Sequence, residues 1–196
     1  MSASGSPDTR LSARAGCGNV HEMVETRVLA PDDWLIWREL RLEALREAGY
    51  AFGSQLADWQ GDGDREERWR ARLAIPGSYN IVAMIDGTPV GMASGVPADQ
   101  DRVVDLISMY VAPPGRGRGV GDHLVRAVEQ WARQAGAVAL RLAVVEANGN
   151  AWALYRRNGF RDTGELGDLM PDGVRREHVM TKSLVDERPA DALGRG

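Results

Sequence analysis

Cysteine is nearly absent from this chain of 196 residues: it occurs once, at Cys17. A single thiol cannot pair within the chain, so no internal disulfide holds the fold. That fits a reducing compartment, and a cytoplasmic location is expected. Long apolar runs are missing as well. Nothing approaches the ~20 consecutive apolar residues of a membrane-spanning helix, and the N-terminus lacks the charged-then-apolar order of a secretory signal; no membrane partner is expected. Positive charge is not in excess. The 24 Lys and Arg stand against 28 Asp and Glu, a net charge of −4, which argues against general binding to nucleic acid. His21, His123 and His178 show no metal-ligand spacing, so no metal is expected; His123 reads as a surface residue.

What is present is an ordinary globular composition, 43% hydrophobic and 27% charged, long enough to bury a core. The opening "MSASGSPDTRLSARAGCGN" has no apolar period and reads as a flexible leader over residues 1–24. The last residues, 185–196, read as a solvated tail. Between them, residues 25–184 form one domain.

Within that domain "ETRVLA" is a short strand. Pro31, Asp32 and Asp33 then start a helix whose apolar side carries Trp34, Trp37, Leu40, Leu42, Ala44 and Leu45. "GYAFGSQLADWQGDGD" is a loop or broken helix with exposed-looking aromatics, and "REERWRARLAI" is helical up to Pro76-Gly77. Three strands follow in sequence, "YNIVAMI", "PVGMASGV" and "RVVDLISMYV", which predicts antiparallel pairing. A helix over about Gly119 to Ala135, the strand "AVALRLAVV", a short helix "NAWALYRRN" and two closing strands, "GFRDTGEL" and "RREHVMTKSL", complete the chain. The fold class is α+β: one mostly antiparallel central sheet with helices on both faces.

"VAPPGRGRGVGDHLV" places four glycines at alternate positions between a strand and a helix. A helix N-terminus carries unpaired N–H groups and partial positive charge, which suits an anion. Glycines let a phosphate approach the backbone, and Arg116 and Arg118 add charge. The nucleotide-binding patterns G-x-x-x-x-G-K-[ST] and G-x-G-x-x-G are both absent. The spacing that fits is R-x-x-G-x-G, on Arg116, Gly119 and Gly121, and it points to a pyrophosphate. A second segment, "NGNAWALYRRNGF", sets Asn150 ahead of a short helix and Tyr155 near its end. Taken alone, Asn150 suits a helix N-cap and Tyr155 a packing role.

The two segments together, after the apolar strand "DLISMYV", resemble the GNAT superfamily of acyl-CoA-dependent N-acetyltransferases. The likeness covers about residues 25–184. It implies a GNAT-like fold in which two neighbouring strands, here "LISMYV" and "LRLAVV", splay apart, with acetyl-CoA as the acyl donor and an amine as acceptor. It also implies that Met109, Tyr110 and Val111 line the pantetheine arm and that Arg116, Gly117, Arg118, Gly119, Val120 and Gly121 hold the pyrophosphate. Asn150 and Tyr155 would flank the arm and the sulfur. Tyr155 is the matching proton donor to the leaving thiolate, and Asp105 the matching base, with Glu146 and Glu43 as rivals. Direct attack in a ternary complex is preferred, because Cys17 lies in the leader. Tyr50, Phe52 and Trp59 are candidate apolar walls for the acceptor, and Asp58, Asp62 and Asp64 could attract a cation. A coenzyme-A-binding regulatory module without turnover and a protein-interaction domain stay open at this point. A homodimer is compatible with the sequence.

Overall fold

A computed structural model describes residues 23–185. The leader with Cys17 and His21 lies outside these residues except for Met23 and Val24, and the tail lies outside them except for Val185. The elements are β1 (Glu25–Val28), α1 (Trp34–Ala48), α2 (Glu66–Leu73), β2 (Tyr79–Ile85), β3 (Thr88–Pro97), β4 (Val103–Val111), α3 (Val120–Gln134), β5 (Ala139–Val145), α4 (Gly149–Arg157), β6 (Arg161–Leu169) and β7 (Arg176–Ser183). They build one seven-stranded sheet in the order β1-β2-β3-β4-β5-β7-β6. Every pairing is antiparallel except β4 with β5. The expected α+β sheet with helices on both faces is what the chain forms.

The strand β2 shows why both faces are covered. Its run "IVAMI" is apolar at consecutive positions, the signature of a strand buried on both sides. Ile81, Ala83 and Ile85 join Val120, Leu124, Val125 and Val128 of α3 in one core. Val82, from the alternate face, joins Trp37, Leu40 and Ala44 of α1 and Trp69 and Leu73 of α2 in a second. Side chains alternate across a strand, so one segment feeds two cores. Closeness of α3 to the sheet depends on Gly95: a Cβ there would sit 2.6 Å from the Trp131 ring.

Two local expectations change. The loop after α1 folds into three short 3-10 turns (Gly49–Ala51, Leu56–Trp59, Gly61–Gly63), and its aromatics are not all exposed. Trp59 packs on Trp69 with ring centroids 4.5 Å apart, and the Phe52 ring lies under the Arg41 guanidinium; Tyr50 stays exposed. His123 is half-buried rather than a surface residue, because Thr26 of β1 covers it at 2.6 Å (Oγ1 to Nε2). Burial holds its pKa below the usual imidazole value, with Arg126 adding to the effect.

Candidate active site

The parallel pairing of β4 with β5 runs only over Val103, Val104 and Asp105 against Ala139, Leu140 and Arg141. Past that point the strands part. Leu106–Val111 and Ala143–Val144 become facing walls of a cleft of about 970 Å³. A bulge accompanies the divergence. Pairing with β3 passes from Met92↔Tyr110 to Ser94↔Ile107, which leaves one extra residue on β4, and Ser108 has φ 55°. A bulge bends a strand and raises its twist, and a serine at positive φ has to be held there. Arg72 of α2 does so from below. Its guanidinium donates to Ser108 Oγ (3.3 Å), Ser94 Oγ (3.1 Å) and Asn80 Oδ1 (3.1 Å). At the last paired register, Arg141 donates two hydrogen bonds to Asp105, at 2.7 and 2.9 Å.

The glycine loop closes one end of the cleft. Gly117 (φ 73°) and Gly119 (φ 77°) take left-handed backbone, and Gly119 is the N-cap of α3. A Cβ on either would meet nothing within 4 Å, so the need is conformational and the loop has free space over it. Gly121 differs: a Cβ there would come to 3.2 Å from Leu154 of α4. Its lack of a side chain lets α3 and α4 meet. Asp122, in the first turn, is engaged by Arg157 and Asn158 from the end of α4, which donate to it at 2.7–2.8 Å. Arg157 is the main cause of its lowered pKa. Arg116 donates to the Val111 carbonyl at 3.0 Å and pairs with Glu47 at 2.6 Å.

The far wall is α4. Its N-cap is Asn148, whose Oδ1 accepts the Ala151 N–H at 3.2 Å. Asn150 therefore lies inside the first turn, lining the cleft. Tyr155 is buried against Phe160, ring centroids 5.8 Å apart, and it also lines the cleft. Burial pushes its hydroxyl well above the ordinary phenol value.

The structure thus brings Met109, Tyr110, Val111, Arg116, Gly117, Gly119, Val120, Gly121, Asn150 and Tyr155 to one cleft. Two of the predicted residues are not among its lining. Asp105 is engaged by Arg141 beside the fork, and Arg118 reaches back to the Pro114 carbonyl at 3.4 Å. Asp105 is therefore tied to Arg141 at the last paired register and does not line the cleft. Glu146 lies outside the lining too. Glu43 instead accepts from the Tyr110 hydroxyl at 3.2 Å, alongside Glu47 at 2.6 Å. Tyr50, Phe52 and Trp59 line the cleft, but Asp58, Asp62 and Asp64 do not. Asp64 is spent on Arg38 (2.6 Å) and the Trp69 indole N–H (2.8 Å), and Asp58 caps a turn through the Gln55 N–H.

Among the lining residues that the sequence reading did not single out are Arg41, Arg72 and Glu177. Arg41 had a signal, since it falls four residues after Trp37 on the apolar stripe of α1. Glu177 lies on β7, which reaches the cleft through its pairing with β5. Burial, with Asp168 second, raises the Glu177 carboxyl above the usual range.

The family model for the acetyltransferase (GNAT) family matches residues 36–160. An IAA acetyltransferase of Azospirillum brasilense is 35% identical over 100 residues, which are 51% of this chain and 65%, just under two thirds, of that protein. A GCN5-related N-acetyltransferase structure from Kribbella flavida superposes with a TM-score of 0.66 at 28% identity, covering 82% of this chain and 97% of that one. The structure of yncA from Salmonella typhimurium, described with acetyl-CoA as its cofactor, gives 0.67 at 21% identity, over 87% and 99%; at that identity it speaks for the fold.

Proposed function

The chain belongs to the acetyltransferase (GNAT) family, and from that premise we propose that it transfers an acetyl group from acetyl-CoA to an amine, directly and in a ternary complex. One observation carries the reading: the gap where β4 leaves β5 opens between the glycine loop and Tyr155 in a single cleft.

The residues fit the coenzyme. A strand that has left its neighbour presents unpaired backbone groups along its edge, which suits the amides of a pantetheine arm. Gly117 and Gly119 leave space over the loop, and the first N–H groups of α3 lack carbonyl partners within the helix. The structure describes a helix start without a side-chain cap, which keeps those donors available for a pyrophosphate. When bound, acetyl-CoA supplies the thioester carbonyl for attack by the amine.

The chain's own groups then have distinct tasks. An alkylamine has a pKa near ~10.4, so its proton must be taken before it attacks. Glu177 accepts that proton, directly or through water; its raised pKa makes it a better base than an exposed carboxylate. The Ala112 N–H bonds to the Val90 carbonyl of β3 at 2.9 Å. Strand alternation directs the Val111 N–H to the opposite edge, into the gap, where it donates to the carbonyl oxygen as negative charge builds. Tyr155, kept protonated by burial, donates to the departing sulfur.

Calorimetry with coenzyme A, followed by thiol release from acetyl-CoA across an amine panel, tests the proposal. Binding in the micromolar range and amine-dependent thiol release are expected; absence of both would overturn it.

A further inference from the structure

Arginine is placed unevenly in this molecule. On and near the surface, Arg27, Arg70, Arg133, Arg157 and Arg175 each hold a carboxylate, where such pairs contribute least. Arg41, the most buried arginine among the described residues at 9% exposure, holds none. Its Nη1 is buried without a hydrogen-bond partner. The Phe52 ring stacks on it at 4.5 Å, and its charged neighbour is another cation, Arg72. Among the described residues Arg72 bonds only to the neutral Asn80, Ser94 and Ser108, and it lies 5.1 Å from the Trp37 ring. Both line the cleft.

A buried charge without a counter-ion is costly, and proteins rarely keep one that nothing will neutralise. Loss of the proton does not relieve it here: burial lowers both guanidinium pKa values to about 10, which still leaves both charged at neutral pH. The other cleft acids are not positioned to help. Glu47 is occupied by Tyr110 and Arg116, and among the described residues no carboxylate lies within ion-pairing distance of Arg41 or Arg72.

We propose that Arg41 and Arg72 form a carboxylate-binding site at the acceptor end of the cleft, so that the acceptor is an amine that also carries a carboxylate, an amino acid in the broad sense. This rests on the acetyltransferase reading above. The guanidinium forks suit a carboxylate bidentately, and the Trp37 and Phe52 rings keep the site apolar around it. Through Ser108 the site adjoins the β4 bulge, on the strand that bears the Val111 donor. A polyamine or polycationic antibiotic would bring further positive charge to two arginines and is disfavoured.

The test uses the full chain with acetyl-CoA, and measures thiol release with the standard L-amino acids, each against its carboxamide. Accepted amino acids should exceed their amides in kcat/KM by about thirty-fold or more, the scale of a lost partner in a buried charge pair. In Arg41→Met that ratio should collapse towards one. Coenzyme A affinity and melting temperature should hold or the latter rise, because an unpaired buried charge has been removed. Arg41→Lys should keep part of the ratio, and it serves in place of Arg41→Met if that variant fails to fold. Equal rates for acids and amides in a wild-type enzyme that binds coenzyme A and releases thiol would overturn the proposal and leave the acetyltransferase reading intact. If neither binding nor release is seen, that reading falls, and tryptophan fluorescence titration with the same acids and amides judges the site alone. Acid-selective quenching lost in Arg41→Met supports it; no acid selectivity overturns it.

Discussion

Tyr155 and Glu177 face the same cleft with their protons biased in the same direction, for one reason. Burial disfavours the charged form of an acid, so both groups hold their protons to higher pH than they would in water. For the tyrosine this keeps a donor protonated at neutral pH. Tyr155→Phe retains the ring on Phe160, so it should fold and bind coenzyme A as before. Its kcat should fall by about 10²-fold, the lower end of general acid catalysis, because a thiolate is already a fair leaving group. For Glu177 the raised pKa sets a pH limb. The carboxylate accepts a proton only above that pKa, so kcat/KM should climb with pH through a value above 4.5. In Glu177→Gln that limb should vanish and the rate fall about 10²–10⁴-fold. The stability sign is opposite. A carboxyl with a raised folded pKa contributes fully at low pH and loses that contribution as pH rises through it, so melting at neutral pH should improve slightly in Glu177→Gln.

At the scale of elements, the decisive feature is a parallel pair only three residues long. Asp105 and Arg141 are Cα partners at its last register and also form a two-bonded ion pair. That makes Asp105 a clasp at the fork. Asp105→Ala should cost about 1 kcal/mol or less in chemical denaturation, since the pair is partly exposed, and should leave the acid limb of the pH–rate profile where it is. A vanished limb in that variant would restore Asp105 as the base. The short helix α2 serves the site from beneath the sheet: Trp69 and Leu73 anchor it in the core, and Arg72 between them reaches the Ser108 bulge. Local periodicity identifies such a helix as amphipathic. It does not reveal that one of its arginines points inward, because that depends on what lies opposite.

Over the whole molecule, acid stability should depend on aspartates held by arginines and backbone N–H groups. Asp64 is brought down to about 2, chiefly by Arg38 and then by the Trp69 indole, and this joins α1 to α2. Asp172 is brought down to about 2 by the N–H groups of Arg175 and Val174. A carboxyl with a depressed folded pKa contributes stability above its unfolded value, near ~3.9, and loses it as pH falls through the folded value. Melting temperature should therefore decline between about pH 4 and pH 2. Asp64→Ala should already be less stable at neutral pH by about 1–3 kcal/mol, through the orphaned indole N–H of buried Trp69, and should show a shallower acid decline. A pH dependence identical to wild type would remove Asp64 from this role.

The sequence by itself determined the elements and their order, because strand and helix periods are local properties of side-chain spacing. "YNIVAMI" before an Asp-Gly turn reads as a strand, and "VGDHLVRAVEQWARQ" as a helix with one apolar side. It also located the glycine loop and Tyr155, whose types and spacing resemble those of a known family. That likeness also named the strands expected to part; only the tertiary structure decided at which register they do so, since the insertion of β7 between β5 and β6 and the short β4–β5 pairing are contacts between distant segments. The same holds for charge. Asp58, Asp62 and Asp64 look like a cation site in one dimension, yet Asp58 and Asp64 are spent on local bonds and none of the three lines the cleft. Arg72 looks like a solvated helix arginine and Arg41 only falls on an apolar stripe, yet folding withdraws both from water with no carboxylate among the described residues to meet them. A residue's type is written in the chain, but its partner and its dielectric surroundings exist only after distant segments have packed.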